Sequence, residues 1–176
     1  MWFRRASWTL PAVLALSILI WGCGYKFRDM SSSLPPNVKT IAVPIFQNNT
    51  NELGLENVFT AAVVSEFNRR RLMPVKSVQS ADAILNGTIR SVHYSAVSYG
   101  ANELATERRV RLVVDVRVTD RSSGKPLWVR PGLVYQEAYT VKMGDPNQTQ
   151  FNKQVAMARI ADNLAEKIHD FLFSNF

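Results

Sequence analysis

Cys23 is the only thiol in the 176 residues, and it stands directly after an apolar run. One thiol permits neither an intrachain disulfide nor a multi-thiolate metal site. Two histidines remain: His93 beside Tyr94 in a β-rich stretch, and His169 after Ile168 near the C-terminus. Either could serve as a general base or a metal ligand. No carboxylate or second histidine lies at ligand spacing, however, so a packing role is expected for both. Asp115 and Asp120 are five apart on one expected strand, point to opposite faces and make a poor acid–base pair. No G-x-G-x-x-G, Walker, G-x-S-x-G or H-E-x-x-H sequence occurs. The chain is therefore not expected to be an enzyme, and no metal or other cofactor is expected.

What surrounds Cys23 gives its thiol a different chemistry. Arg4 and Arg5 form a basic start, Leu10 to Trp21 an apolar stretch, and Ile20-Trp21-Gly22-Cys23 the end. The apolar stretch is shorter than the ~20 residues a membrane-spanning helix needs and has the layout of an export signal. The last four residues resemble a bacterial lipobox, in which the cysteine sulfur receives a diacylglyceryl group. Gly22 and Cys23 fit, Ile20 is acceptable, and Trp21 departs from the small residue usual there. Residues 1–22 are thus expected to be a lipoprotein signal peptide. Cys23 is the expected lipidation site, with S-diacylglyceryl and N-acyl chains as the covalent group. Several acyl chains anchor a protein stably without a spanning helix, each buried CH₂ contributing roughly 0.8 kcal/mol. Gly24 follows the cysteine where Asp would signal retention, which favours the outer membrane, with the chain on its periplasmic side.

Positive charge is the other chemical resource. Lys+Arg number 21 against 14 Asp+Glu, a net charge of +7. Arg108, Arg109 and Arg111 open the central strand, with Arg109, Arg111 and Arg117 on its solvent face by parity. Arg121, Lys125 and Arg130 lie at or near the following turn. A guanidinium binds phosphate or carboxylate as a two-pronged fork, so an anionic glycolipid head group is one candidate ligand. The plain alternative is a solvated strand face that discourages edge-to-edge pairing. Nucleic acid would fit the charge but not an exported, lipidated chain. Tyr94, Tyr99, Tyr135, Tyr139 and Trp128 lie on or beside strands and suit either a contact surface or ordinary packing.

The elements that must carry these groups follow from periodicity. Hydrophobic residues make up 47% and charged residues 20%, which rules out a disordered chain and suffices for one domain with its own core. Residues 23–37 read as a Ser- and Pro-containing tether, and residues 38–176 as that domain. Val38 to Phe46 alternates as a strand, with Pro44 marking an edge or an end. A helix is expected from Gly54 to Arg70, burying Leu55, Val58, Phe59, Ala62, Val63 and Phe67, with arginines closing it. A short extended piece around Met73 to Val78 precedes a strand over Ala83 to Ser98, where Gly87 marks a bulge or a close approach. A loop is expected over Tyr99 to Thr106. Val110, Leu112, Val114, Val116 and Val118 then alternate with polar residues as a half-buried strand. Asp120 to Pro126 is a hairpin turn, and Leu127 to Val141 returns, broken near Pro131-Gly132. Asp145-Pro146-Asn147 stops it, and a helix over Phe151 to Phe173 presents Met157, Ala161, Leu164, Ile168 and Leu172. The expected class is α+β, with two helices on one face of a roughly four-stranded mixed sheet.

Several stretches in this order resemble the LptE family of lipopolysaccharide-assembly lipoproteins. They are Cys23 to Arg28, Leu34-Pro35, Lys39 to Thr50, Gly54-Leu55-Glu56, Ala81 to Ile89 and Gly124 to Trp128, with the terminal helix. The resemblance implies two helices on a four-stranded sheet, anchored in the inner leaflet of the outer membrane. It implies that the protein plugs the lumen of a partner β-barrel, LptD, helps that barrel fold, and joins it in delivering lipopolysaccharide to the cell surface. No lipid-contact motif aligns, so Arg108, Arg109, Arg111, Arg117, Arg121, Lys125 and Arg130 are the candidates for lipopolysaccharide or barrel contact. The strand, N-x-T and helix signature is shared loosely with curli-secretion lipoproteins and with lipoprotein activators of peptidoglycan synthases. The last strand pair and the long C-terminal helix favour the LptE-like reading.

Overall fold

Strict alternation decides the centre of the molecule. Val110, Leu112, Val114, Val116 and Val118 are each at most 1% exposed, while Arg109, Arg111 and Arg117 between them are exposed. The computed structural model describes residues 34–99 and 105–173. The expected signal peptide, Cys23 and the first part of the tether lie outside those residues. The elements are β1 (Ile41–Ala42), β2 (Gln47–Asn48), α1 (Leu55–Arg70), β3 (Ala83–Tyr99), β4 (Ala105–Asp120), β5 (Pro126–Thr140) and α2 (Pro146–Phe173). The path through the sheet is β1-β3-β4-β5, and β2 also pairs with β3. β1 and β2 run parallel to β3, whereas β3, β4 and β5 are antiparallel, so the sheet is mixed. The α+β expectation is met: two helices cover one face of the sheet and share a single core with it.

The expected strand over Val38 to Phe46 is two dipeptides. Pro44 has no N–H to donate, and the chain swings out so that Ile45 is 69% exposed before Gln47 rejoins β3. Phe46 is nevertheless buried, and its ring lies where a Cβ on Gly87 would have to be. Gly87 is thus a close-approach point; the bulge falls later, between Ile89 and Ser91. The Met73–Val78 piece bridges β1 from its other side, with Ile41 N–H donating to the Pro74 carbonyl and Lys76 N–H to that of Ile41.

β3 and β4 reach into the expected loop from both ends, pairing Tyr99 with Ala105; residues 100–104 are outside the described set. The β4–β5 turn is held by Asp120, whose Oδ1 accepts from Ser122 Oγ, Ser123 N–H and Ser123 Oγ, and these bonds bring its pKa down to about 2. The break at Pro131-Gly132 is a register step in which Gly132 N–H donates to Asp115 Oδ1 at 2.7 Å.

α2 begins at Pro146 rather than Phe151. Asp145 Oδ1 accepts the N–H of Gln148 at 2.9 Å, and a proline in the first helical position needs no partner for its missing donor. Phe151, the first large apolar residue, lies beyond this first turn and is exposed, so it does not mark the helix start. The α1 expectation stands from Leu55, although Val58 is exposed and Glu66 is buried among the apolar residues. The helices run in the same direction, since Glu52 before α1 meets Lys153 early in α2 and Arg70 at the end of α1 meets Glu166 and Asp170.

Candidate functional site

β4 sorts the candidate cations by parity. Arg109, Arg111 and Arg117 share the face turned away from the helices; they sit opposite Ser95, His93 and Asn86 of β3 and Ala138, Gln136 and Val129 of β5. Among the described residues none of the three makes an ion pair. Arg90 on the same face is engaged, its Nη1 lying 3.2 Å from Asp115 Oδ2. The face therefore carries three guanidinium forks free to accept an anion, set beside exposed Val129 and Val134.

The other four candidates do not join this group. Arg108 is in register with Tyr139 on the helix side of the sheet. Arg130, opposite Val116, is also on that side, and its guanidinium lies 5.6 Å from the ring centroids of both Trp128 and Phe171. Arg121 turns back on the chain and donates from Nε to the Ala81 carbonyl at 2.6 Å. Lys125 is exposed in the turn. The seven cations thus fall in several directions, because strand parity separates neighbours in sequence.

A polar cleft of about 270 Å³ opens between the helices, lined by Ala62, Ser65, Glu66, Arg69, Asp162 and Glu166 among others. Its buried carboxylate is already claimed: Arg69 and Arg70 both donate to Glu66, and these bonds outweigh burial and hold its pKa below the usual range. His169 is buried between Phe67 and Phe173, with centroids at 5.5 and 4.6 Å, and neither ring nitrogen has a hydrogen-bond partner. Burial and then the nearby Arg70 charge push its pKa down, so it packs as a neutral aromatic ring. His93 is exposed on the cationic face. No group of three His, Cys, Asp or Glu that could hold a metal occurs among the described residues.

One polar cluster had no sequence signal. Tyr94 Oη donates to Glu52 Oε1 at 2.6 Å, Lys153 Nζ lies 2.9 Å from Glu52 Oε2, and the same ammonium sits 5.3 Å from the Tyr94 ring centroid. Burial works against the Glu52 charge, but the bonds from Tyr94 and Lys153 prevail and lower its pKa. Burial and that carboxylate raise the pKa of Tyr94. The three residues come from a turn, a strand and a helix, and no spacing in the sequence announces them.

A family model described as LptE, Lipopolysaccharide-assembly, matches residues 38–172. No curated protein matches the chain. Among solved structures, a Caulobacter crescentus chain assigned as a lipoprotein is 17% identical, with 72% of this chain and 86% of that one covered at a TM-score of 0.53. A minor lipoprotein from Acinetobacter baumannii is 12% identical, covering 78% and 92% at 0.51. The PelC dodecamer from Paraburkholderia phytofirmans is 16% identical, covering 82% and 96% at 0.50. At these identities the three share the fold.

Proposed function

The chain belongs to the LptE lipopolysaccharide-assembly family, and from that membership we propose that it is an outer-membrane lipoprotein, acylated at Cys23, that plugs the LptD β-barrel. In this role it assists assembly of the barrel and takes part with it in moving lipopolysaccharide to the cell surface. The family is one of non-catalytic assembly lipoproteins, and no described helix is long and apolar enough to cross a membrane. Residues 1–22 serve as the signal peptide, and residues 23–37 as the tether between the acylated cysteine and a domain over 38–176. The family match, which begins at residue 38, is the observation that carries the reading.

The geometry supplies the chemistry this reading needs. Barrel interiors are polar, and a sheet face that carries guanidinium groups can pack against such a wall. Arg109, Arg111 and Arg117 offer that wall, or a phosphorylated head group, three unpaired forks. Arg108, Arg121, Lys125 and Arg130 face other directions and would contact lipopolysaccharide or barrel separately. No nucleic acid enters this role.

Purification from native envelopes in mild detergent, followed by mass spectrometry, tests the proposal. A large β-barrel in one-to-one ratio is the expected companion. A ring of identical subunits, as a curli-secretion type would give, or a peptidoglycan synthase would overturn it. Retained lipopolysaccharide binding after R109Q/R111Q/R117Q would remove the outer-face arginines from the lipid contact.

A further inference from the structure

β3 is covered along half of its outer edge and open along the rest. β1 pairs with Ala83 and Ile84, β2 with Thr88 and Ile89, and Asn49 N–H closes the ladder on the Ile89 carbonyl. From Ser91 to Tyr99 only β4 pairs with β3 among the described residues. Alternate residues there direct N–H and C=O away from β4, with no strand to receive them. Exposed edges are ordinarily blunted by charge or proline. The run Ser91-Val92-His93-Tyr94-Ser95-Ala96-Val97-Ser98-Tyr99 contains no Lys, Arg, Asp, Glu or Pro, and His93 through Val97 are all exposed.

The second observation lies one strand inward. Ser91, His93 and Ser95 share the outer face with Val113, Arg111 and Arg109, their register partners on β4. Ser95, opposite Arg109, leaves room above it, whereas His93 is the side chain opposite Arg111. A strand added to this edge would lie two strand spacings from β4, roughly 9.5 Å. An extended arginine and an extended glutamate together span that distance, across Ser95 for Arg109 and past His93 for Arg111. The edge supplies backbone pairing, and the two unpaired guanidinium groups behind it select the charge of what pairs.

The geometry points to the Ser91–Val97 edge of β3 as a docking site for an extended segment of another polypeptide. That segment carries carboxylates at alternate positions, directed to the face of Arg109 and Arg111. This is strand addition, in which main-chain bonds give affinity and alternate side chains give specificity. It narrows the barrel-contact reading for two of the seven cations. It does not need that barrel, because a peptide can report on the edge alone.

The test uses the full chain in mild detergent and two acetylated peptides, one alternating valine with glutamate and one alternating valine with lysine. The glutamate peptide is expected to shift the amide resonances of residues 91–97 and to bind roughly 10-fold or more tighter than the lysine peptide. R109E/R111E should reverse that order, which a merely sticky edge would not do. Ala96→Pro, on an exposed position, should abolish binding of the favoured peptide. Equal binding of both peptides, binding of neither, or shifts confined to other elements would overturn the proposal. So would a concentration-dependent dimer lost in Ala96→Pro, which would make a second copy the occupant. Barrel co-purification is scored separately, so either reading can fail alone.

Discussion

The two halves of β3 are built to different ends. Ala83 to Ile89 is paired by β4 along one edge and by β1 and β2 at both ends of the other, buries every second residue, and contributes to the shared core. Ser91 to Tyr99 pairs on one edge, and from His93 to Val97 every residue is exposed on whichever face it lies. One strand thus serves as the spine of a folded core and then as an arm held out from it. Stability resides where both edges and one face are covered, whereas the open half retains unpaired backbone groups, beside the β4 cations Arg109 and Arg111, that something else can use. Substitutions in the first half should therefore act on global unfolding, and those in the second on local opening and binding.

Gly87→Val should break the covered half most severely. The added Cβ would occupy the space of the Phe46 ring, and that ring is buried beside Phe59 at a centroid distance of 6.5 Å. Overpacking of this kind costs about 1–3 kcal/mol, here toward the upper end, read as a lowered urea midpoint. Phe46→Ala in the same chain should recover part of the loss, and a double-mutant cycle with no coupling would remove the close approach from the argument.

Why Gly87 was only half legible is instructive. A glycine in a strand reads equally as a bulge or as a close approach, and the choice depends on Phe46, which lies 41 residues earlier. The same limit runs through the molecule. Strand β4, the hairpin turn and the buried stripe of α2 follow from local periodicity. The split of the first strand, the earlier start of α2 and the dispersal of the seven cations depend on a missing N–H, a cap and strand parity. Parity was available in the sequence and did place Arg109, Arg111 and Arg117 together. The Glu52–Tyr94–Lys153 cluster joins residues up to 101 apart and had no local signature at all.

His169 tests the covered end through pH. Buried against Phe67 and Phe173, it has a folded pKa below its unfolded value of about 6.5. The unfolded chain therefore takes up a proton that the folded chain refuses. Stability from this group is intact above pH ~6.5 and declines as pH falls toward the folded pKa, by at most ~1.4 kcal/mol per unit. His169→Phe should flatten the urea midpoint between pH 7.5 and 5.5. An unchanged slope would assign the acid sensitivity to other groups.

Tyr94→Phe addresses the bond that ties the open half to Glu52, before α1. Removing the hydroxyl leaves Glu52 its Lys153 partner, and Tyr94 itself is 39% exposed, so the global loss should be about 0.5–1 kcal/mol. Hydrogen exchange of amides 91–97 should accelerate while those of Ala83 to Ile89 do not change. Equal acceleration in both halves would show that β3 opens as one unit and would dissolve the distinction.

The smallest effect concerns what keeps the covered half covered. Arg71 ends α1 in the left-handed region at φ 56°, with its N–H donating to the Phe67 carbonyl at 3.0 Å. An L side chain is strained there, and glycine is not. The turn leads straight into Met73–Val78, the piece that bridges the outer side of β1. Arg71→Gly should raise stability by about 0.5 kcal/mol, the relief of strain being partly offset by the greater freedom of glycine in the unfolded chain. The gain should appear in the exchange of amides around Ile41 and leave residues 91–97 untouched. A loss of stability would instead mean that the Arg71 side chain contributes more than its backbone costs. The edge of β1 would then depend on a surface cation, not on the turn that delivers its neighbour.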